Sequence, residues 1–392
     1  MAKPRMRHRR HWPVVLAALV LALGAATASA LGLTANASLR PAAAPAAAAT
    51  GAAKSRVAPG AHAMKFGLDY AGTLLDETPA QVRTSLQDAV AVGAKWIRID
   101  LPWETVQPDN ASSYDWGGLD TIVRSAHSLG LSIDAILDST AYWDTSHACK
   151  VSGINTAFCP PSDMSDFAHF AATAAQRYQG DGVDAWEIWN EPNIGQRWWP
   201  VPSATGYARM LSAVGQAIRG VDPHAYIVMG GLAVEPDDAG KNVVSQNTYL
   251  TDLVRIRGSL TGVDAVGYHP FSGATPPSAA GDFKDISTAQ GNLLSILQAN
   301  GYPGVGIWLT ETGYSVGDAD PAASVLQAQA AYATDLVKTV AANPNVAADF
   351  WFADQDFDSQ RLYWGLRDGA GRARPSLTTL KAAVAACGCS VG

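Results

Sequence analysis

The stretch WEIWNEPN at residues 186–193 decides the fold, because it reads as a buried strand that ends in a polar pair and a proline. The stretch VGIWLTETG at residues 305–313 has the same design. An apolar strand that delivers a carboxylate where it ends is typical of parallel strands in an α/β barrel, whose chemistry sits at the C-terminal strand ends. We therefore expect Glu191 and Glu311 to lie at one end of such a barrel.

Around these two strands, short apolar runs alternate with longer amphipathic runs, which is the pattern of βα units. The predicted strands are residues 66–70, 96–100, 131–137, 184–190, 226–230, 265–269, 305–313 and 347–352. The predicted helices are residues 79–92, 119–129, 165–178, 205–219, 249–257, 286–299, 322–341 and 377–385. This alternation predicts a single-domain (β/α)8 TIM barrel. We place it at residues 62–386, followed by a C-terminal tail at residues 387–392.

The N-terminal residues have the composition of an export signal. Four arginines precede an apolar run at residues 13–26, and the small-residue sequence ASA follows at residues 28–30. This order predicts a secretory signal peptide at residues 1–30. Residues 31–61 are rich in Ala and Pro, which predicts a disordered linker. We expect a secreted or surface-tethered protein, with membrane contact only if the signal remains as an uncleaved anchor.

Composition and cysteine content limit the function classes. The chain is 48% hydrophobic with a net charge of −7, so it can bury a full core and is a poor candidate for binding nucleic acid. Cys149 and Cys159 flank a short polar segment, which predicts a disulfide in an exported protein. Cys387 and Cys389 could bond to each other or elsewhere. His147 lies beside Cys149, but further ligands are missing, so we expect no metal.

Two carboxylates on separate strand ends are what the cleavage of a glycosidic bond requires. The alternative for Glu191 alone is a helix cap or an arginine pair, and the second glutamate in the same setting favours chemistry. The sequences WNEP at residues 189–192 and TETG at residues 310–313 resemble the two catalytic strands of clan A retaining glycoside hydrolases. The resemblance covers about residues 66–380 and is nearest to families 39 and 5.

This resemblance implies roles for individual residues. Glu191 would be the acid/base, with a raised pKa, and Glu311 the nucleophile. Asn190 would contact the sugar 2-hydroxyl, Arg98 would keep the nucleophile ionised, and His269 corresponds to a histidine on the sixth strand. Carboxylates and water perform both steps, so no cofactor is expected.

The chain departs from the clan pattern after the sixth strand. The clan often has His-x-Tyr there, whereas this sequence has HPF at residues 269–271. The missing hydroxyl could be replaced by Tyr268 or Tyr314, or Arg98 alone could hold the nucleophile.

Aromatic residues in the predicted loops favour sugar binding, because sugar rings stack on aromatic faces. Trp198, in the loop after the fourth strand, is the predicted stacking platform, and Tyr314 is a further substrate-binding candidate. Trp351 resembles the tryptophan that floors the sugar subsite, and the resemblance implies a cis peptide bond after it.

The sequence predicts a monomeric retaining glycosidase acting on an oligo- or polysaccharide. Two alternatives remain: a barrel that binds glycans without cleaving them, and an inverting hydrolase that uses the same carboxylates. The absence of an accessory β-sandwich makes an exo-xylosidase less favoured. The sugar, the linkage, and the choice between endo and exo action depend on loop shapes that residue types do not determine.

Overall fold

The computed structural model describes residues 64–389, so the predicted signal peptide, the linker and the end of the tail lie outside the described residues. Eight parallel strands pair in chain order and close into a barrel. Their bounds are β1 Lys65–Asp69, β2 Trp96–Pro102, β3 Ser132–Asp138, β4 Val183–Ile188, β5 Tyr226–Ala233, β6 Ala265–His269, β7 Gly306–Thr312 and β8 Val346–Phe352. The predicted (β/α)8 TIM barrel is therefore confirmed.

Helices follow the strands around the barrel. Their bounds are α1 Pro79–Val92, α2 Trp103–Val106, α3 Gly117–Ser128, α4 His147–Lys150, α5 Met164–Tyr178, α6 Ala204–Val221, α7 Gln246–Val254, α8 Gly281–Lys284, α9 Leu293–Ala299, α10 Ala323–Ala341 and α11 Pro375–Cys387. Short 3-10 helices occupy Thr73–Asp76, Tyr142–Asp144, Thr156–Phe158 and Asp358–Gln360. Within residues 64–389, no helix combines the length and the apolar character that a membrane span requires.

Helix α1 begins where its sequence predicts. Thr78 accepts a hydrogen bond from the backbone N–H of Gln81, and the side chain of Gln81 accepts one from the backbone N–H of Thr78. Pro79 occupies the first helical position, where no backbone N–H is needed. The reciprocal bonds satisfy N–H groups that the helix itself leaves free.

The predicted helix at residues 286–299 is wrong in its first half, since α9 begins only at Leu293. Asn292 donates hydrogen bonds from Nδ2 to the carbonyl oxygen of Lys284 and to Ser287 Oγ, at 3.0 and 2.8 Å. Gly291 has a φ of 89°, in the left-handed region. Local side-chain bonds and a glycine turn therefore replace the helical backbone bonds in this segment.

The strands divide their side chains between two cores. Residues such as Ile97 and Ile99 face outward and pack against the helices in the main hydrophobic cluster. Trp96 faces inward with Trp308 and Phe350, in a separate aromatic cluster inside the barrel. Because side chains alternate along a strand, Arg98, two residues after Trp96, also faces inward.

Two disulfides close loops in the structure. Cys149 bonds to Cys159 with their Cα atoms 6.5 Å apart, which confirms the predicted pair. Cys387 bonds to Cys389, the pairing that the sequence left open. The first bridge lies in the long segment between β3 and α5, at the C-terminal mouth of the barrel.

Candidate active site

Arg98 is the centre of the charged network at the barrel mouth and is only 1% exposed. Its Nη1 donates to Asp69 Oδ2 at 2.7 Å and to Glu311 Oε1 at 2.8 Å. Its Nε donates to Glu187 Oε2 at 2.7 Å, and its Nη2 donates to Asn190 Oδ1 at 3.1 Å. One guanidinium thus brings together side chains from β1, β2, β4 and β7.

The network contains more acids than its single cation can balance. Burial alone would lower the pKa of Arg98, but the negative charges of Glu187, Asp69 and Glu311 outweigh it and raise that pKa. Burial raises the pKa of Asp69 to about 7, although Arg98 acts in the opposite direction. Arg98 therefore stays charged, and Asp69 takes up a proton more readily than an exposed aspartate.

The end of β4 turns both Asn190 and Glu191 toward the site. The strand ends at Ile188, two residues earlier than predicted. Trp189 has a φ of 70° and Glu191 a φ of 48°, both in the left-handed region. Trp189 consequently packs outside the barrel against Phe167 and Trp198. Regular alternation along β4 would place Trp189 on the same face as Glu187, but left-handed backbone breaks this alternation.

His269 lies between the two candidate glutamates and has no exposed surface. Its Nδ1 lies 3.2 Å from Glu191 Oε1, and its Nε2 lies 3.0 Å from Thr310 Oγ1 and 3.7 Å from Glu311 Oε1. Burial alone would lower the pKa of His269, but the charges of Glu311 and Glu191 outweigh it and raise that pKa. A protonated imidazole would donate toward both sides of the site.

Gly231 makes room for this histidine. A Cβ atom at residue 231 would lie 1.9 Å from Nε2 of His269, so only glycine fits beside the ring. The backbone N–H of Gly231 also donates to Glu187 Oε1 at 2.7 Å, and its carbonyl accepts from the backbone N–H of Glu191 at 3.0 Å. A glycine pair inside a strand often marks such a close approach, which was the signal available in the sequence.

The expected raised pKa of Glu191 is wrong, since its pKa is lowered. Burial alone would raise it, but the hydrogen bond from His269 and the positive charges of Arg197 and Arg98 outweigh burial. Arg197 Nε lies 3.4 Å from Glu191 Oε2. Arg197 was not among the predicted site residues, because five loop residues separate it from the glutamate and nothing in the sequence indicates their contact.

Neither tyrosine named in the sequence analysis contacts the nucleophile candidate through a hydrogen bond in the structure. The hydroxyl of Tyr268 donates to the carbonyl oxygen of Asp282 at 3.1 Å. The ring of Tyr314 is half-buried and packs 5.5 Å from that of Tyr332. Glu311 is instead held by Arg98, the remaining alternative, with His269 nearby.

Trp351 does not reach the mouth, contrary to the resemblance. It has no exposed surface and packs toward Tyr332 on α10, with ring centroids 6.2 Å apart. The cis bond follows Phe352 rather than Trp351, so the predicted position is one residue early. Because neighbouring residues of a strand face opposite sides, Trp351 faces the helices. Phe352 instead joins an aromatic cluster with Phe271 and Trp364.

Trp198 is a core residue and not an open platform. It is 4% exposed, and its ring packs edge-on against Trp189 and Tyr207. The loop turns the indole inward, toward α6. The next residue, Trp199, is half-buried and precedes a cis peptide bond to Pro200.

Further acids at the mouth escaped the sequence analysis. Burial and the nearby charge of Asp138 raise the pKa of Asp100 to about 8. Burial raises the pKa of Asp138 to about 6 and that of Glu104 to about 7. Asp138 ends β3 and Asp69 ends β1. Asp138 and Asp69 could have been identified from the sequence, because each is an acid at the end of a predicted barrel strand.

Glu191, His269 and Glu311 also have the spacing of a metal site, since one ligand atom of each lies within 4.8 Å of the others. The two carboxylates already have guanidinium partners, Arg197 for Glu191 and Arg98 for Glu311. Because these cations would repel a metal ion, the donor set fits a carboxylate pair better than a metal centre.

Comparison with known proteins identifies a family model that spans most of the barrel. The cellulase model, glycosyl hydrolase family 5, matches residues 71–353. No curated protein matches the chain.

Several solved structures share the fold. A monomeric β-xylosidase from Caulobacter crescentus CB15 superposes with a TM-score of 0.62 at 16% identity, covering 83% of this chain and 68% of that one. A family 5 glycoside hydrolase from Streptomyces cattleya, in complex with GlcNAc, gives 0.60 at 17% identity, covering 85% and 82%. Xylanase 10B from Thermotoga maritima gives 0.58 at 14% identity, covering 83% and 95%. At these identities the superpositions show the fold alone.

Proposed function

The chain belongs to the cellulase family, glycosyl hydrolase family 5, and is a glycosidase; from this premise we propose a retaining mechanism with Glu311 as the nucleophile and Glu191 as the acid/base. Its substrate is an oligo- or polysaccharide with O-glycosidic bonds. Retention requires two displacements on the anomeric carbon, each of which inverts its configuration.

The spacing of the two carboxylates is the observation that carries this proposal. One oxygen of Glu191 and one of Glu311 lie within 4.8 Å of each other. Retaining enzymes hold their two carboxyl groups about 5–5.5 Å apart, whereas inverting enzymes need roughly 6.5–9.5 Å to admit a water molecule. The short spacing favours the retaining mechanism over the inverting alternative.

In the first displacement, the carboxylate of Glu311 attacks the anomeric carbon and forms an ester with the sugar. The bond between that carbon and the leaving oxygen breaks while Glu191 donates its proton to the oxygen. In the second displacement, Glu191 removes a proton from water as the water oxygen attacks the same carbon. The ester bond breaks, Glu311 regains its charge, and Glu191 regains its proton.

The surrounding residues have supporting roles in this proposal. Arg98 places its positive charge beside Glu311 and fixes the oxygen that accepts its Nη1 hydrogen bond, so the other oxygen is left for the attack. Asn190, held at Oδ1 by Arg98, keeps its amide N–H groups for a sugar hydroxyl. His269 orients the carboxylate of Glu191.

The lowered pKa of Glu191 adds a condition to the mechanism. The first displacement needs the protonated acid, and the free protein favours the ionised form. Activity on substrates with poor leaving groups should therefore rise as the pH falls toward the acidic range. Glu311 must still be ionised for the attack, which sets the lower limit of this range.

Export from the cell is part of the proposal. It rests on the predicted signal peptide at residues 1–30, supported by the Cys149–Cys159 disulfide, because disulfides persist in oxidising compartments. N-terminal sequencing of the protein recovered from culture medium should begin near Leu31. Recovery of intact Met1 on membranes would favour the anchor instead.

The product configuration tests the retaining mechanism. We would screen aryl glycosides together with xylan and cellulose, since xylan- and xyloside-cleaving proteins are among the structural neighbours. On any substrate that is cleaved, proton NMR within the first turnovers should show a product with the anomeric configuration of the substrate. An initial product of opposite configuration would support the inverting alternative. Cleavage that persists in both Glu191→Ala and Glu311→Ala variants would place the site elsewhere.

A further inference from the structure

Arg197 contacts the acid/base candidate from further along the loop that follows β4, six positions after Glu191. Its Nε lies 3.4 Å from Glu191 Oε2, with side-chain exposures of 10% and 3%. That carboxylate oxygen has no hydrogen-bond partner within residues 64–389. The other oxygen, Oε1, is 3.2 Å from His269 Nδ1. Within residues 64–389, the guanidinium of Arg197 is the one ion-pair partner of this oxygen.

The position of Arg197 is fixed by the disulfide-closed loop. Its guanidinium carbon lies 4.8 Å from the ring centre of Phe158, which immediately precedes the bridged Cys159. The carbonyl oxygen of Phe158 accepts a hydrogen bond from the backbone N–H of Trp199 at 3.0 Å. The carbonyl of Arg197 itself accepts from Trp189 Nε1 at 2.9 Å. Both the backbone and the guanidinium of Arg197 are thus held in place.

We propose that Arg197 is a positioning residue for Glu191: its guanidinium, supported by Phe158 of the loop closed by Cys149–Cys159, orients the carboxylate and places a positive charge beside it. This proposal rests on the proposed function, since it concerns the residue assigned there as the acid/base. Through Phe158 and Arg197, the Cys149–Cys159 disulfide would thus influence the protonation of Glu191.

The other charged groups at this point come from five strands or their loops. Those facing Glu191 are His269 at the end of β6, Arg98 on β2, Glu311 on β7 and Glu235 after β5. Asp100 on β2 and Asp138 on β3 face Arg197, which lowers the pKa of both against the larger effect of burial. The acids outnumber the cations, so removing Arg197 leaves Glu191 in a more negative environment.

The sign of the effect follows from this arrangement. A cation near a carboxylate lowers its pKa, typically by about 1–3 units when the two are paired. Replacing Arg197 by a neutral residue should raise the pKa of Glu191, so more of the acid form persists at a given pH. The alkaline limb of kcat/KM, which reports the acid in the free enzyme, should move to higher pH.

The experiment compares Arg197→Gln and Arg197→Lys with the unaltered protein. In Arg197→Gln, the alkaline limb of kcat/KM should move up by about one pH unit on a substrate with a poor leaving group. On an aryl glycoside with an activated leaving group, which needs little protonation, the movement should be much smaller. Arg197→Lys keeps the charge without the planar fork, so its limb should stay nearer to that of the unaltered protein while its rate falls.

A matched control removes a charge from the disulfide-closed loop that supports Arg197. Lys150 on α4 lies over the ring of Tyr142, 4.9 Å from its centre. Lys150→Gln should leave the alkaline limb unchanged. An equal movement in Lys150→Gln would overturn the proposal, because it would show a general effect of net charge. An unchanged limb in a folded Arg197→Gln variant would also overturn it.

The support of the loop is tested separately. Phe158→Ala, and a Cys149→Ala/Cys159→Ala double variant, should each move the limb in the same direction as Arg197→Gln but by less. Melting curves establish that each variant is folded. An unchanged limb in both folded variants would remove the loop from the proposal. If Glu191→Ala retains full activity, the proposed function itself fails; if it is inactive while Arg197→Gln is unaltered, only this inference fails.

Discussion

The floor and the mouth of the barrel are built on the same strands with opposite chemistry. At the floor, Trp96 and Trp308 meet edge to face with ring centroids 5.6 Å apart, and Tyr226 stacks on Trp308 at 4.9 Å. Two residues further along β2, about 6–7 Å at the rise of a strand, Arg98 is surrounded by carboxylates. One strand therefore passes from an aromatic layer into an ionic layer.

The floor and the mouth differ in what they contribute to the stability of the fold. Apolar burial at the floor contributes roughly 25 cal/mol per Å², and Lys65 lies over the Trp96 ring, 5.6 Å from its centre. Burial lowers the pKa of Lys65. At the mouth, desolvation of several acids opposes folding, and a buried ion pair is weak evidence for stability. The charges at the mouth serve the proposed reaction, and the apolar packing at the floor offsets their cost in stability.

The largest expected effect is the loss of activity in a mouth variant that stays folded. Glu311→Ala removes the proposed nucleophile, so activity should fall by about 10⁴-fold or more, as it does when catalytic groups that act as a unit are removed. Its melting temperature should stay close to that of the unaltered protein, because Arg98 keeps Asp69 and Glu187 as partners. Kinetics with an aryl glycoside and thermal melting measure the two quantities.

Azide provides a second test of the same Glu311→Ala variant. The small anion fits the space left by the Glu311 side chain and should yield a glycosyl azide of inverted configuration. A Glu311→Ala variant that retains its activity would contradict the assignment of the nucleophile. A variant that loses both activity and folding would contradict the separation between the floor and the mouth.

The second effect depends on the leaving group. Glu191→Ala should lose about 10²–10⁴-fold in rate on substrates with poor leaving groups, the usual contribution of general acid catalysis. With activated aryl leaving groups the first displacement should be much less affected. Azide should accelerate the second displacement with retention of configuration. Equal losses for both classes of leaving group would argue against an acid role for Glu191.

The third expected effect is a loss of stability in a variant of the floor. Trp308→Ala removes a fully buried indole, and the free energy of unfolding should fall by about 3–5 kcal/mol. Activity per folded molecule should change little, since Trp308 lies below the charged network. Denaturant unfolding with active-site titration measures both. As a control, Val90→Ala changes an exposed side chain on α1 and should leave both unchanged.

The smallest effect concerns pH and stability. Burial raises the pKa of Asp349 to about 7, against a hydrogen bond from Thr312 that lowers it. The folded state thus binds a proton more tightly than the unfolded state, so this stabilising contribution is full below about pH 4 and is lost as the pH rises through 7. The melting temperature should be about 2–4 °C higher at pH 5 than at pH 7.5.

Asp349→Asn isolates the contribution of this residue, because the amide is neutral at every pH. The difference in melting temperature between pH 5 and pH 7.5 should shrink in the variant. A difference of unchanged size would show that other acids, such as Asp69 or Asp100, cause it. A higher melting temperature at pH 7.5 than at pH 5 in the unaltered protein would contradict the direction itself.

Local sequence patterns determined much of the architecture. Apolar runs and capping residues located the strands and most of the helices, because burial and end capping act over a few neighbouring residues. The family motifs placed a glutamate at the end of β4 and another on β7. The spacing of Cys149 and Cys159 identified their disulfide. Each of these signals lies within one short segment of the chain.

Tertiary structure decided what surrounds those glutamates. Left-handed backbone at Trp189 broke the alternation of β4 and turned Asn190 and Glu191 into the mouth together. On β8, the cis peptide bond follows Phe352 and not the predicted Trp351, and Phe352 is the residue that joins the aromatic cluster. The hydrogen bond from His269 and the charge of Arg197, from the loop after β4, reversed the expected shift in the pKa of Glu191. Sequence alone determined the barrel and its two candidate carboxylates, but their charge depends on groups brought within a few ångströms by folding, because electrostatic interactions follow distance in space and not separation along the chain.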